Sequence, residues 1–201
     1  MSNKLHQTIA FTKLLHAFQR EERAIRVPGL DRLENDAEHS YALAMLAWYL
    51  IDTMRLPLDK KKVFEYALAH DMVEVYAGDT PAFGRGGSNK ADIRSSKKER
   101  EELAKKRLRS EFPEFPSFTD AMEIYEKQAD KESKFVYALD KLIPIFGGIA
   151  HDGRDWKEHG ISFQEVLSYK LEKIKANESV FALFNDIMSL IGKDKARYFN
   201  L

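Results

Sequence analysis

The stretch Ala69-His70-Asp71-Met72-Val73-Glu74-Val75-Tyr76-Ala77-Gly78-Asp79-Thr80 decides how this chain is read. Helical spacing leads into it, and predicts one helix from an N-cap at Asp59, after Pro57, to near Gly78, with Pro81 beyond. Val63, Ala67, His70, Asp71 and Glu74 then share a face, so its stripe turns from apolar to imidazole and acid halfway along. Ionisable groups on a buried stripe cost stability unless a cation or a ligand offsets them, and His and Asp are residues that bind metals.

Outward from this stretch, period-3.6 patterns dominate and alternating β-branched runs are missing, so the fold class predicted is all-α. A first helix is expected over about Leu5 to Arg20, with Leu5, Ile9, Leu15 and Phe18 inward, followed by an irregular Val27-Pro28-Gly29-Leu30-Asp31. A second starts at Asn35 or Asp36, with Glu38 closing a capping box if Asn35 holds the cap, and runs to about Met54. On it His39, Leu43, Leu46 and Leu50 fall on one stripe. Phe83 to Lys90 is glycine-rich and reads as a loop, and Ser95 to Ser110 as a charged, solvated helix. Further helices are expected over Ser117 to Ala129, from an Asp130 cap to a kink or end at Pro144 and Gly147-Gly148, from the Ser162/Glu165 capping box to Ala176, and over Glu178 to Ile191.

The polar intruders on these stripes are His39, His70, Asp71 and Asp140. Two imidazoles and two carboxylates from three helices can converge on one divalent cation and leave about two of six octahedral positions open. Glu74 follows His70 by four residues and Asp71 by three, so it projects from the same face about 5 to 6 Å away, where it can hold or deprotonate a water. Asp79 follows Gly78 and can bend toward the same mouth. Arg20, Arg23 and Arg26, three residues apart, form a helical ridge that could meet phosphate bidentately or be only a basic surface. A second His-Asp pair, His151-Asp152, is followed by Gly153 and has no acid four positions on, which marks it as loop.

Composition narrows the classes. The 201 residues, 44% of them hydrophobic, suffice for one substantial core and one domain. Lys plus Arg and Asp plus Glu both count 32, so no net field exists to hold a long nucleic acid. The absence of cysteine excludes disulfides, thiolate metal sites and cysteine nucleophiles. The amino terminus lacks the basic-then-apolar order of a secretory signal, and the apolar run Tyr41 to Ile51 falls short of the roughly 20 residues that cross a bilayer, so a soluble, cytoplasmic protein without a membrane partner is expected.

These residues resemble the pattern of the HD-domain metal-dependent phosphohydrolases, in a branch similar to the 5′-deoxynucleotidases. The matching pieces are Glu34-Asn35-Asp36-Ala37-Glu38-His39-Ser40, His70-Asp71-Met72-Val73-Glu74, Gly78-Asp79-Thr80-Pro81 and Ala138-Leu139-Asp140-Lys141, spanning about Leu14 to Pro144. The resemblance implies an HD-domain helical bundle over residues 1–201, with the helices of 162–191 packed on the motif core. It implies that His39, His70, Asp71 and Asp140 ligate one divalent metal, that Glu74 handles the nucleophilic water, and that Asp79 assists near the phosphate or sugar. Arg23, with Arg26 beside it, would contact the substrate, and the protein would be a homodimer.

Neighbouring branches fit less well. Glu74 is followed by Val75, whereas stringent-response nucleotide hydrolases carry two consecutive acids, and neither a His-containing Pro-Phe-Gly stretch nor a Gly-Tyr-Pro motif is present. The expected reaction is therefore hydrolysis of a (deoxy)nucleoside 5′-monophosphate to nucleoside and phosphate. The alternatives are a non-catalytic, metal-stabilised nucleotide-binding module and a phosphoesterase for another small phosphorylated metabolite. The ligand set accepts Mn²⁺, Co²⁺, Mg²⁺, Fe²⁺ or Ni²⁺.

Overall fold

A computed structural model describes residues 3–78 and 90–200, with side chains in the second stretch from Ser96 onward. Asp79 and the glycine-rich stretch 83–89 lie outside the described residues. The chain runs α1 (Asn3–Phe18), β1 (Glu22–Arg26), β2 (Leu33–Asn35), α2 (Asp36–Thr53), α3 (Lys60–Ala69), α4 (Glu74–Ala77), α5 (Lys90–Glu111), α6 (Pro116–Lys127) and α7 (Lys131–Ala150). It continues through α8 (Arg154–Glu158), α9 (Phe163–Ile174), α10 (Glu178–Lys193) and α11 (Lys195–Tyr198). The all-helical expectation holds apart from one small antiparallel pair, β1 with β2. No described helix is long and apolar enough to cross a membrane.

α7 is the centre of the bundle. It packs against α2, α3, α6, α9 and α10, and Phe135, Val136, Ala138, Leu139 and Leu142 have no exposed surface. A helix enclosed on several sides needs apolar residues around most of its circumference, and this one has them. Its start is fixed by Asp130, whose side chain accepts the Ser133 backbone N–H at 2.8 Å while the Ser133 hydroxyl accepts the Asp130 N–H at 3.0 Å. Of the kink or end expected at Pro144, the end is corrected: α7 continues to Ala150. Proline removes only the hydrogen bond to the carbonyl of Asp140, four residues back, and the surrounding helices hold the backbone in place. Gly148 is fitted to its site, because a Cβ there would lie 2.3 Å from the Trp156 ring of α8.

Three other expectations are corrected by tertiary contacts. The inward side of α1 is Leu14 and Phe18, with Phe11 edge-on to Phe112, Phe115 and Phe118, while Leu5, Ile9 and Leu15 stay exposed. The third helix stops at Ala69 instead of Gly78. The arginines at 23 and 26 lie on a strand instead of a helical ridge. Short strands of polar residues carry little local signal, and this pair forms only because each supplies the other's backbone partners.

Candidate metal centre

Local rules place each side chain. In α2 the Asn35 side chain accepts the Glu38 N–H at 2.9 Å, and the Glu38 carboxylate accepts the Asn35 N–H at 3.1 Å. This capping box fixes the first turn, so Asp36 and His39 project inward from the same face, both wholly buried. At the end of α3 the His70 N–H still bonds Tyr66 O at 3.0 Å, but Met72 N bonds Ala69 O at 3.1 Å and Glu74 N bonds Asp71 O at 2.8 Å. The turn thereby tightens to three residues, which brings positions three apart nearly into register. Asp71 and Glu74 accordingly approach each other: oxygens of Asp36, Asp71 and Glu74 all lie within 4.8 Å.

The two imidazoles meet the two other expected carboxylates. His70 Nδ1 lies 3.0 Å from the Ala67 carbonyl, which can only accept, so the proton sits on Nδ1 and Nε2 presents a lone pair. That Nε2 is buried, has no hydrogen-bond partner, and lies 2.9 Å from Asp71 Oδ2 and 3.9 Å from Asp140 Oδ1. His39 Nε2 lies 3.0 Å from Asp140 Oδ1. Ligand atoms of His39, His70 and Asp71 fall within 4.8 Å of one another. Two ligands each about 2.1 Å from a shared ion stand about 3.0 Å apart at right angles and about 4.2 Å apart across it. The observed separations fit that range, and an imidazole lone pair facing a carboxylate across such a gap is the arrangement a divalent cation reconciles.

Around the cluster, charge is arranged to keep Asp71 and Asp140 ionised. Burial disfavours the charged form of Asp71, but adjacent His70 and the Arg23 guanidinium outweigh it and hold this acid well below the usual carboxylate range. Burial acts the same way on Asp140, where Lys141 and the bond from His39 prevail and again hold the acid low. Asp140 Oδ2 receives Lys141 Nζ at 2.5 Å and the Tyr125 hydroxyl at 2.6 Å, which leaves Oδ1 directed at the imidazoles. Burial lowers His39, while for His70 the neighbouring Asp71 outweighs burial and raises it. Asp36, desolvated and repelled by Asp71, is pushed up to about 6, and burial pushes Glu34 up to about 7.

His39, His70, Asp71, Asp140 and Glu74 are thus brought together; Asp79 lies outside the described residues. Arg23 joins them from β1, its Nη1 donating to Asp71 at 2.7 Å and Asp36 at 2.9 Å. Arg26 does not: its guanidinium is paired with Asp155 and Glu158 of α8. His151 and Asp152 stand in the turn after α7, away from the cluster, as expected. The sequence marks Asp36 only as a possible helix start and gives no role to Tyr125. The spacing of Asp36 three residues before His39, on the first turn of the same helix, was a usable signal, whereas nothing local marks Tyr125. Beside the cluster opens a cavity of about 530 Å³, a volume usual for small-molecule sites, walled by β1, α5, α6, α7, α8 and α9.

Comparison with known proteins identifies the family. Residues 15–180 match the HD domain family. The 5′-deoxynucleotidase HDDC2 of Homo sapiens is 31% identical over 132 residues, which are 64% of this chain and 60% of the human protein. The Mus musculus protein of the same name is 31% identical over 116 residues, 56% of this chain and 53% of its own length. The chain therefore spans less than two thirds of either relative. Among solved structures, a predicted metal-dependent phosphohydrolase from Magnetospirillum magnetotacticum MS-1 superposes with a TM-score of 0.81 at 26% identity, covering 99% of this chain and 100% of that one. A conserved hypothetical protein from Pyrococcus furiosus shares the fold, with a TM-score of 0.65 at 23% identity over 92% of this chain and 99% of that one. This chain belongs to the HD domain family, the metal-dependent phosphohydrolases that its motifs resemble.

Proposed function

We propose that the protein is a phosphomonoesterase that hydrolyses (deoxy)nucleoside 5′-monophosphates to nucleoside and phosphate. The observation that carries this reading is the convergence of His39, His70, Asp71 and Asp140, with the Glu74 carboxylate within 4.8 Å of Asp71 and the cavity opening beside them. His39, His70, Asp71 and Asp140 would hold one divalent cation. When bound, such a cation polarises a phosphoryl oxygen and lowers the pKa of water.

The chain's own residues supply the rest. Glu74 holds the attacking water and takes its proton at a carboxylate oxygen. Asp36, which accepts from Arg23 at 2.9 Å and has an oxygen within 4.8 Å of one of Glu74, borders that carboxylate and helps to fix its position. Arg23 balances the three crowded acids, so it acts on the substrate through Asp36 and Asp71. The likeness to the 5′-deoxynucleotidases supports a nucleotide as substrate and a deoxyribose as the preferred sugar. The homodimer implied by the resemblance has a candidate contact in the exposed Tyr41, Met45, Trp48 and Tyr49 of α2.

The test is phosphate release from ribo- and deoxyribonucleoside 5′-monophosphates by metal-stripped protein, with Mn²⁺, Co²⁺, Mg²⁺, Fe²⁺ and Ni²⁺ added back singly. Restored release that His70→Ala loses together with bound metal is the expected result. Silence with every cation and every monophosphate overturns the reading, and brisk metal-dependent release by His70→Ala overturns the ligand assignment.

A further inference from the structure

Most described cations on the cavity wall are taken up by neighbouring acids. Arg23 is bonded to Asp36 and Asp71, and Arg26 to Asp155 and Glu158. Lys97 lies 3.4 Å from Glu101 and 3.8 Å from Glu74, Lys105 is bonded to Glu102 and Glu126, and Lys141 to Asp140. Lys170 is different. It projects from α9 into the same cavity, is only 5% exposed, and makes no side-chain hydrogen bond or ion pair with any described residue. Its aromatic neighbour is Tyr169, with the ring centroid 5.7 Å from Nζ. The charges that act on it most strongly are Lys141 and Asp140 of α7, Lys173 about one turn along its own helix, and Arg23 of β1, three cations and one acid.

A desolvated ammonium in cationic surroundings is unfavourable by itself and becomes favourable when an anion enters. We propose that Lys170 is the anion receptor of this cavity, its ammonium donating to a non-bridging oxygen of the phosphoryl group of a phosphate monoester. The proposal rests on the phosphohydrolase reading of the neighbouring cluster and adds a substrate-binding residue from the carboxyl-terminal third of the chain. Burial, reinforced by Lys141, pushes the free ammonium down to about 7, the direction expected of a cation lacking its counter-ion.

The experiment is calorimetric titration of the Mn²⁺-loaded protein with inorganic phosphate at pH 6.5, on wild type, Lys170→Met and Lys170→Arg. Metal content and melting temperature are recorded for each. Expected for Lys170→Met is phosphate binding weakened by about 10- to 100-fold, the range for a hydrogen bond to a charged group, with metal content unchanged. Its melting temperature should rise by a few degrees, because an uncompensated buried charge is gone. Lys170→Arg should retain affinity to within about tenfold.

Unchanged phosphate affinity in folded, metal-loaded Lys170→Met overturns the proposal. So does a variant that melts lower or fails to fold, since Lys170 would then be a structural residue. The two readings fail separately: wild type that binds phosphate through Lys170 but hydrolyses no nucleotide sinks the nucleotidase assignment and leaves the receptor standing.

Discussion

Asp36, Asp71 and Glu74 crowd their oxygens within 4.8 Å beneath one guanidinium, and this crowding explains what each residue is for. Like charges at that separation repel; Arg23 offsets part of that repulsion, and a cation held by the imidazoles would offset more. Glu74 stands apart from the four proposed ligands in one respect: the metal-binding side chains clustered with it are carboxylates, and neither imidazole is among them. Removing it should therefore spare the metal. For Glu74→Ala we expect metal content equal to wild type with turnover lower by about two orders of magnitude or more, measured as initial phosphate release at saturating nucleotide. An unchanged rate would remove Glu74 from the chemistry. The convergence of His39, His70, Asp71 and Asp140 was legible in the sequence because each is an ionisable intruder on an apolar stripe. Asp36 and Lys170 were not singled out: an acid at a helix start passes for a cap, and a lysine between Tyr169 and Leu171 passes for a surface charge.

The helices that carry the ligands differ in how far local rules specify them. The start of α2 follows directly from Asn35 and Glu38, and the start of α7 from Asp130, because capping is a short-range hydrogen-bond pattern. The end of α3 does not, since residues 70–73 keep helix-like turns and only the shift to three-residue hydrogen bonds separates them from the helix. β1 and β2 escape local rules altogether, being five and three residues long with polar sequences. Their register is irregular between Glu22 and Arg26, and residues 23–26 together line the cavity. Position 148 is where the backbone of α7 lies close against Trp156 of α8. Gly148→Ala should cost about 1 to 3 kcal/mol by forcing its methyl into the Trp156 ring, read as a lower urea midpoint with unchanged slope. A wild-type midpoint would show that the two helices separate freely.

The molecule as a whole makes a stability sacrifice at Lys170 that pH reveals. Its ammonium is lowered to about 7 in the native state, by burial and then by Lys141, against an ordinary value of 10.5. Between those values the unfolded chain holds a proton that the native chain has released, so native stability rises with pH through that window. Facing charges come from Lys141 and Asp140 of α7, Lys173 of α9 and Arg23 of β1; subtracting the Lys170→Met curve isolates the contribution of Lys170. Without phosphate, wild type should gain on Lys170→Met by up to about 1.4 kcal/mol per pH unit from pH 7 to 10, measured by urea unfolding. A difference that stays flat contradicts the placement of that charge. The central claim, however, is that side chains from α2, the turn after α3 and α7 clasp one cation. Anomalous diffraction from Mn²⁺-soaked crystals addresses it most directly. We predict one strong peak within bonding distance of His39, His70, Asp71 and Asp140; a peak elsewhere, or none at all in a fully folded crystal, would contradict the account.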